Sequence, residues 1–105
     1  MRRNTPPPDP ERYPLGRLIW ERRRVRNLTM SALAKEIDRS DSYINDLEHG
    51  AKRLSDDEET VRTVAHALRI TARELRAAMQ RQRVADAAEV LAAEKRLLLE
   101  TRKSA

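Results

Sequence analysis

The chain has 105 residues, no cysteine, two histidines and a formal net charge of +5 at pH 7. That length makes one domain with a small core and no enzyme-sized cleft, and the lack of cysteine excludes a disulfide framework, thiol chemistry and a Cys-based zinc site. With no phenylalanine, one tryptophan and two tyrosines, the core must be filled by Leu, Ile, Val and Ala, which suits short packed helices better than sheets. No apolar run approaches the ~18 residues of a membrane span, and the basic N-terminus lacks the apolar region of a secretory signal. A cytoplasmic chain without membrane contact, metal or cofactor is expected.

The charge is unevenly spread. Residues 1–26 carry eight arginines against three acids, residues 27–75 carry seven basic and ten acidic groups, and residues 76–105 carry seven basic and four acidic groups. The positive charge therefore lies in the two flanks, which would have to supply much of any attraction to phosphate.

Residues 1–14 are expected to form a flexible arm. Pro6, Pro7, Pro8 and Pro10 remove donors and favour extended backbone. Arg2 and Arg3 at its tip can reach a DNA backbone or minor groove, or stand as part of a solvated tail. A first helix is predicted over 15–26, with Leu15, Leu18, Ile19 and Arg22 or Val25 near one side. Helical spacing scatters Arg22, Arg23, Arg24 and Arg26 around the axis, so they cannot share one ligand. Trp20 is read as a partly buried core residue, and Asn27 suits a left-handed helix end.

The stretch 28–50 predicts two short helices joined by a tight turn. Thr29 and Ser31 are good N-cap types, and Leu33, Ala34 and Ile37 share one face. The periodicity stops at Asp38-Arg39-Ser40, where Asp tolerates the left-handed backbone of a sharp turn. Ser40 can cap the next helix, about 41–49. Tyr43, Ile44 and Leu47 are its buried side, and Gly50 is the glycine that ends it. A fourth helix is predicted from Ser55, with 55–58 as a capping box and the acids 56–59 at the favourable end of the dipole rather than in a metal cluster. Thr71 and Glu74 form a second box that starts a fifth helix burying Leu75 and Met79.

The tail 84–102 has high helix propensity. Val84, Ala87, Leu91 and Leu98 make a sparse seam with spacing near 3.5, interrupted by Glu94. Such a helix either folds back on the bundle or pairs with a second subunit. Pairing is the favoured reading, with Val84, Leu91 and Leu98 as its contacts.

Leu28-Thr29, Leu33-Ala34, Ser40-x-x-Tyr43-Ile44 and Leu47-Glu48-x-Gly50 resemble the Cro/C1-type (XRE) helix-turn-helix of bacterial and phage regulators. Leu15, Ile19 and Arg23 extend the likeness forward, and Val61, Val64, Ala65, Leu68, Ile70 and Leu75 extend it to the last two helices. It covers roughly 15–79. The resemblance implies an all-α, five-helix lambda-repressor-like domain over 15–80, here with an added C-terminal helix at 81–105. It implies double-stranded DNA as partner. Asp41, Ser42, Asn45 and Asp46 would meet base edges, where Asn can pair with adenine and Asp can accept from cytosine. Thr29, Arg39, Ser40, Lys52 and Arg53 would meet the backbone. It also implies that Arg23 pairs with Glu48, a bidentate contact that fixes orientation. Asp41 and Asp46 depart from the family pattern, as does Met30, where many relatives carry glutamine.

Two functions follow. The first is a sequence-specific, dimeric transcriptional regulator, a repressor that excludes polymerase with its third helix in the major groove. The second is an interaction module on the same fold, antitoxin-like or a co-regulator, that docks a basic protein through an acidic third helix. An enzyme is not expected, because neither paired carboxylates, a Ser-His-Asp pattern nor a Gly-rich phosphate loop is present.

Overall fold

The computed structural model describes residues 6–104, with backbone alone for residues 103 and 104. These residues form five helices: α1 (Pro14–Val25), α2 (Met30–Glu36), α3 (Asp41–Glu48), α4 (Glu58–Leu68) and α5 (Ala72–Ser104). The described residues contain no strand, and none of their helices is long and apolar enough to cross a membrane. Arg2 and Arg3 lie outside the described residues.

The first four helices end in one shared way. A residue of positive φ follows the last turn: Asn27 (φ 55), Asp38 (φ 57), Gly50 (φ 74) and Arg69 (φ 58). The next residue then donates its N–H back over the turn: Leu28 to the Arg23 carbonyl, Arg39 to Ala34, Ala51 to Asp46 and Ile70 to Ala65. This satisfies carbonyls that the helix itself leaves unpaired. Gly, Asn and Asp are the residues best suited to that conformation. Arg69 is not, so its strain must be offset by the packing around it.

Beginnings follow side-chain chemistry. Thr29 Oγ1 accepts from Ala32 N–H, and Ser40 Oγ accepts from Tyr43 N–H. At α5, Glu74 N–H donates to Thr71 Oγ1 and Thr71 N–H donates to Glu74 Oε2. The predicted box at 55–58 is shifted. Asp57 is the N-cap of α4, accepting from Thr60 N–H, while Ser55 Oγ accepts from Asp57 N–H in the preceding turn. A carboxylate nearer the dipole outcompetes the hydroxyl two residues earlier.

The core is the set of apolar faces that meet between all five helices. Ile19, Leu33, Ile44, Val61, Leu68 and Leu75 are all but inaccessible. Among the described residues no buried side-chain polar atom lacks a hydrogen-bond partner.

Two expectations are corrected. The arm is docked from Pro8 onward: Pro8 is buried, its carbonyl accepts from Arg17, and Tyr13 N–H donates to the Asp9 carbonyl. The cause is α5. Arg12 donates to Asp86 Oδ1 at 2.9 Å and lies 3.8 Å from Glu89. The bond to Asp86 raises the arginine's pKa further, against the opposing effect of burial. Buried Gln82 accepts from Leu15 N–H and donates to the Arg12 carbonyl and to Asp86. One amide thus caps the start of α1, whose Tyr13 offers no side-chain cap. Second, the C-terminal addition is not a separate helix. It continues α5 without a break for 33 residues, because Ala, Leu, Glu, Lys and Arg extend a helix once it is nucleated.

Candidate nucleic-acid interface

The candidate interface is built on α3. Ile44 and Leu47 anchor it in the core, and Ser42 and Asn45 are exposed on its other side. Asp46 is half-buried. Asp41 is exposed but its carboxylate is engaged: Oδ1 accepts from Ser42 N–H at 2.9 Å, and Oδ2 from Ser31 Oγ on α2 at 3.5 Å. A carboxylate at a helix N-terminus is favourably placed against the dipole, so this charge is partly offset by its own helix.

Glu48 ties α3 to α1. Its carboxylate accepts from Arg23 Nε at 2.6 Å and from Arg23 Nη2 at 3.1 Å, while Arg23 Nη1 donates to the Leu28 carbonyl at the entrance to α2. Both are buried, Arg23 at 7 % and Glu48 at 1 % exposure. Removing one partner of such a pair strands the other charge and typically costs ~3–5 kcal/mol. The pair therefore restricts where α3 can sit relative to α1 and the α2 entry.

Close backbone approach does the rest. A Cβ on Gly16 would stand 2.0 Å from the Glu48 carbonyl oxygen. Only glycine lets α1 cross the end of α3 at this distance. Sequence reasoning passed over Gly16, although an isolated glycine inside an apolar helical pattern is a signal of close approach.

The arginine run of α1 divides its duties. Arg22 donates to the Leu68 and Arg69 carbonyls, and Arg26 to the Ala67 carbonyl and to Glu36. These two cap the C-terminal end of α4. Arg23 holds Glu48, and the Arg24 guanidinium lies 4.8 Å from the centre of the half-buried Trp20 ring. Much of the positive charge in α1 is thus structural.

The expected backbone contacts fall into two groups. Thr29 and Ser40 are N-caps whose oxygens accept from the helix backbone and whose hydroxyl donors remain for a phosphate. Arg39, Lys52 and Arg53 are exposed cations. Arg39 lies 5.1 Å and Lys52 5.7 Å from the centre of the Tyr43 ring. Arg53 instead lies 3.9 Å from Asp86 on α5. His49 Nδ1 is within hydrogen-bond distance of the Asn45 carbonyl. Among the described residues no group of acids and histidines could hold a metal ion. The proposed pairing residues Val84, Leu91 and Leu98 stand open at 61 %, 59 % and 66 % exposure.

No protein-family model matches the chain, and comparison with curated proteins finds no relative. Two crystal structures of the clp gene regulator ClgR from Corynebacterium glutamicum are similar to it. One alignment has 28 % identity and a TM-score of 0.54, covering 66 % of this chain and 87 % of the other. The second has 26 % identity and a TM-score of 0.55, covering 91 % and 93 %. The chain has a helix-turn-helix regulator fold.

Proposed function

We propose that the chain is a non-enzymatic, DNA-binding transcriptional regulator of the Cro/C1 type that acts as a homodimer and represses by occluding polymerase. The observation that carries this reading is α3 itself. An exposed Ser42 and Asn45 are presented by a helix that is capped, cored and ion-paired to α1, with the exposed cations Arg39 and Lys52 beside it. Rigid support of a polar helix face is what direct readout of base edges requires. The likeness to a gene regulator supports the same conclusion. Pairing is supported by the exposed Val84, Leu91 and Leu98 on α5, and two copies would read half-sites about one helical turn apart.

The test is a genome-fragment pull-down followed by binding of the enriched site. Asn45→Ala is expected to cost ~1–3 kcal/mol on that site and to leave random DNA unaffected. Equal loss on both would remove α3 as the reader. A Leu91→Glu/Leu98→Glu double variant is expected to sediment as a monomer; a persisting dimer would overturn pairing through α5.

Asp41 and Asp46 on α3, with Glu58 and Glu59 at the start of α4, favour the second reading, docking of a basic protein partner. The absence of any enriched DNA site in the pull-down would favour it over the first.

A further inference from the structure

Tyr43 is half-buried on α3 and its ring stands beside two cations from opposite ends of that helix. Arg39 precedes the Ser40 N-cap, and its backbone N–H is bonded to the Ala34 carbonyl. Lys52 follows the helix, and its backbone N–H is bonded to the Asp46 carbonyl. Both attachment points are therefore anchored. Holding long basic side chains in one place opposes their rotamer entropy, so a neighbour that fixes them favours binding.

Among the described residues neither Arg39 nor Lys52 forms a salt bridge, whereas Arg53 lies beside Asp86. That difference matters for binding. A carboxylate partner cancels the charge it positions. An aromatic face attracts a cation through its quadrupole and leaves the net charge in place. The ring thus gathers two cations beside α3 that no salt bridge among the described residues neutralises, with Glu59 of α4 lining the same hollow as Arg39 and Tyr43. The Asp41 carboxylate is held by Ser42 N–H and Ser31 Oγ.

We propose that Tyr43 is a positioning residue that holds Arg39 and Lys52 as a two-cation clamp for nucleic-acid phosphates. The inference rests on the DNA-binding reading and adds a mechanism to it: the clamp secures the backbone beside an acidic recognition helix. Tyr43 contacts the cations and acts through them.

The test uses the full chain and a random-sequence duplex titrated with salt. Arg39→Ala and Lys52→Ala, both at exposed positions, are each expected to lower the log–log salt slope by about one. Tyr43→Leu is expected to weaken binding about tenfold at low salt, the scale of two exposed cation–π contacts. Tyr43→Phe, which keeps the ring, is expected to bind like the parent. In the Arg39→Ala/Lys52→Ala background Tyr43→Leu should add almost nothing, because a residue that acts through two others is coupled to them. Circular dichroism of each variant separates loss of the clamp from loss of the fold. If Tyr43→Leu, while folded, binds like the parent, or adds its full loss in the double background, the clamp is overturned and DNA binding stands. A parent chain that binds no duplex would overturn the DNA reading, and the clamp with it.

Discussion

The two halves of α5 share a helix-forming composition and sit in opposite surroundings. In the first half Leu75, Ala78, Met79 and Gln82 are buried. Beyond it, Val84, Val90, Leu91, Leu97, Leu98 and Leu99 are each more than half exposed. The helix is continuous across the change, so backbone order here does not depend on burial. A nucleated helix extends through good helix formers at little cost, whereas apolar side chains gain only what neighbours remove from water. The docked half organises the bundle, and the projecting half leaves its apolar side chains in solvent.

Matched substitutions sharpen that contrast. Leu75→Ala, at a site with no exposure, is expected to cost ~2–5 kcal/mol in urea denaturation. A loss below about 1 kcal/mol would mean that the docked half is not core. Gln82→Ala should come next, at ~1–3 kcal/mol, because Leu15 N–H and the Arg12 carbonyl would lose the partner that satisfies them. Arg12→Ala is expected to cost less than about 1 kcal/mol. Its contacts to Asp86 and Glu89 are partly exposed and screened by solvent, and raised salt should shrink the effect further. Leu98→Ala completes the series. The same chemical change as at Leu75 should move monomer stability by no more than ~0.5 kcal/mol, yet weaken self-association in sedimentation. A large stability loss at low protein concentration would show that the projecting half packs against its own chain.

The helix-turn-helix was legible because its signals are local. Thr29, Ser40 and the Thr71–Glu74 pair are caps that reach three residues along the chain. Asn27, Asp38 and Gly50 are residue types that tolerate positive φ. Arg69 adopts the same conformation without that signature, so its turn could not be read. The box pattern fits Ser55, and only the observed start of α4 shows Asp57 to be the cap. Arg23 and Glu48 were paired by resemblance, not by spacing, since 25 residues separate them. The docked arm was missed for a related reason. Its prolines do favour extended backbone, but Arg12 and Pro8 are held by side chains on other elements.

By itself the sequence determined the all-helical class, the positions of α2 and α3, most of their ends and the polar exposed side of α3. These follow from backbone preference, capping chemistry and apolar period, each acting within about one turn. Tertiary structure decided the rest. It placed Gln82 on the start of α1 across 67 residues, set Gly16 against the Glu48 backbone and gathered Arg39 and Lys52 around Tyr43. It also divided α5 into a buried half and an exposed half. Such contacts join residues far apart in sequence, and their pairing is selected by how the apolar faces close into one core, which no local pattern encodes.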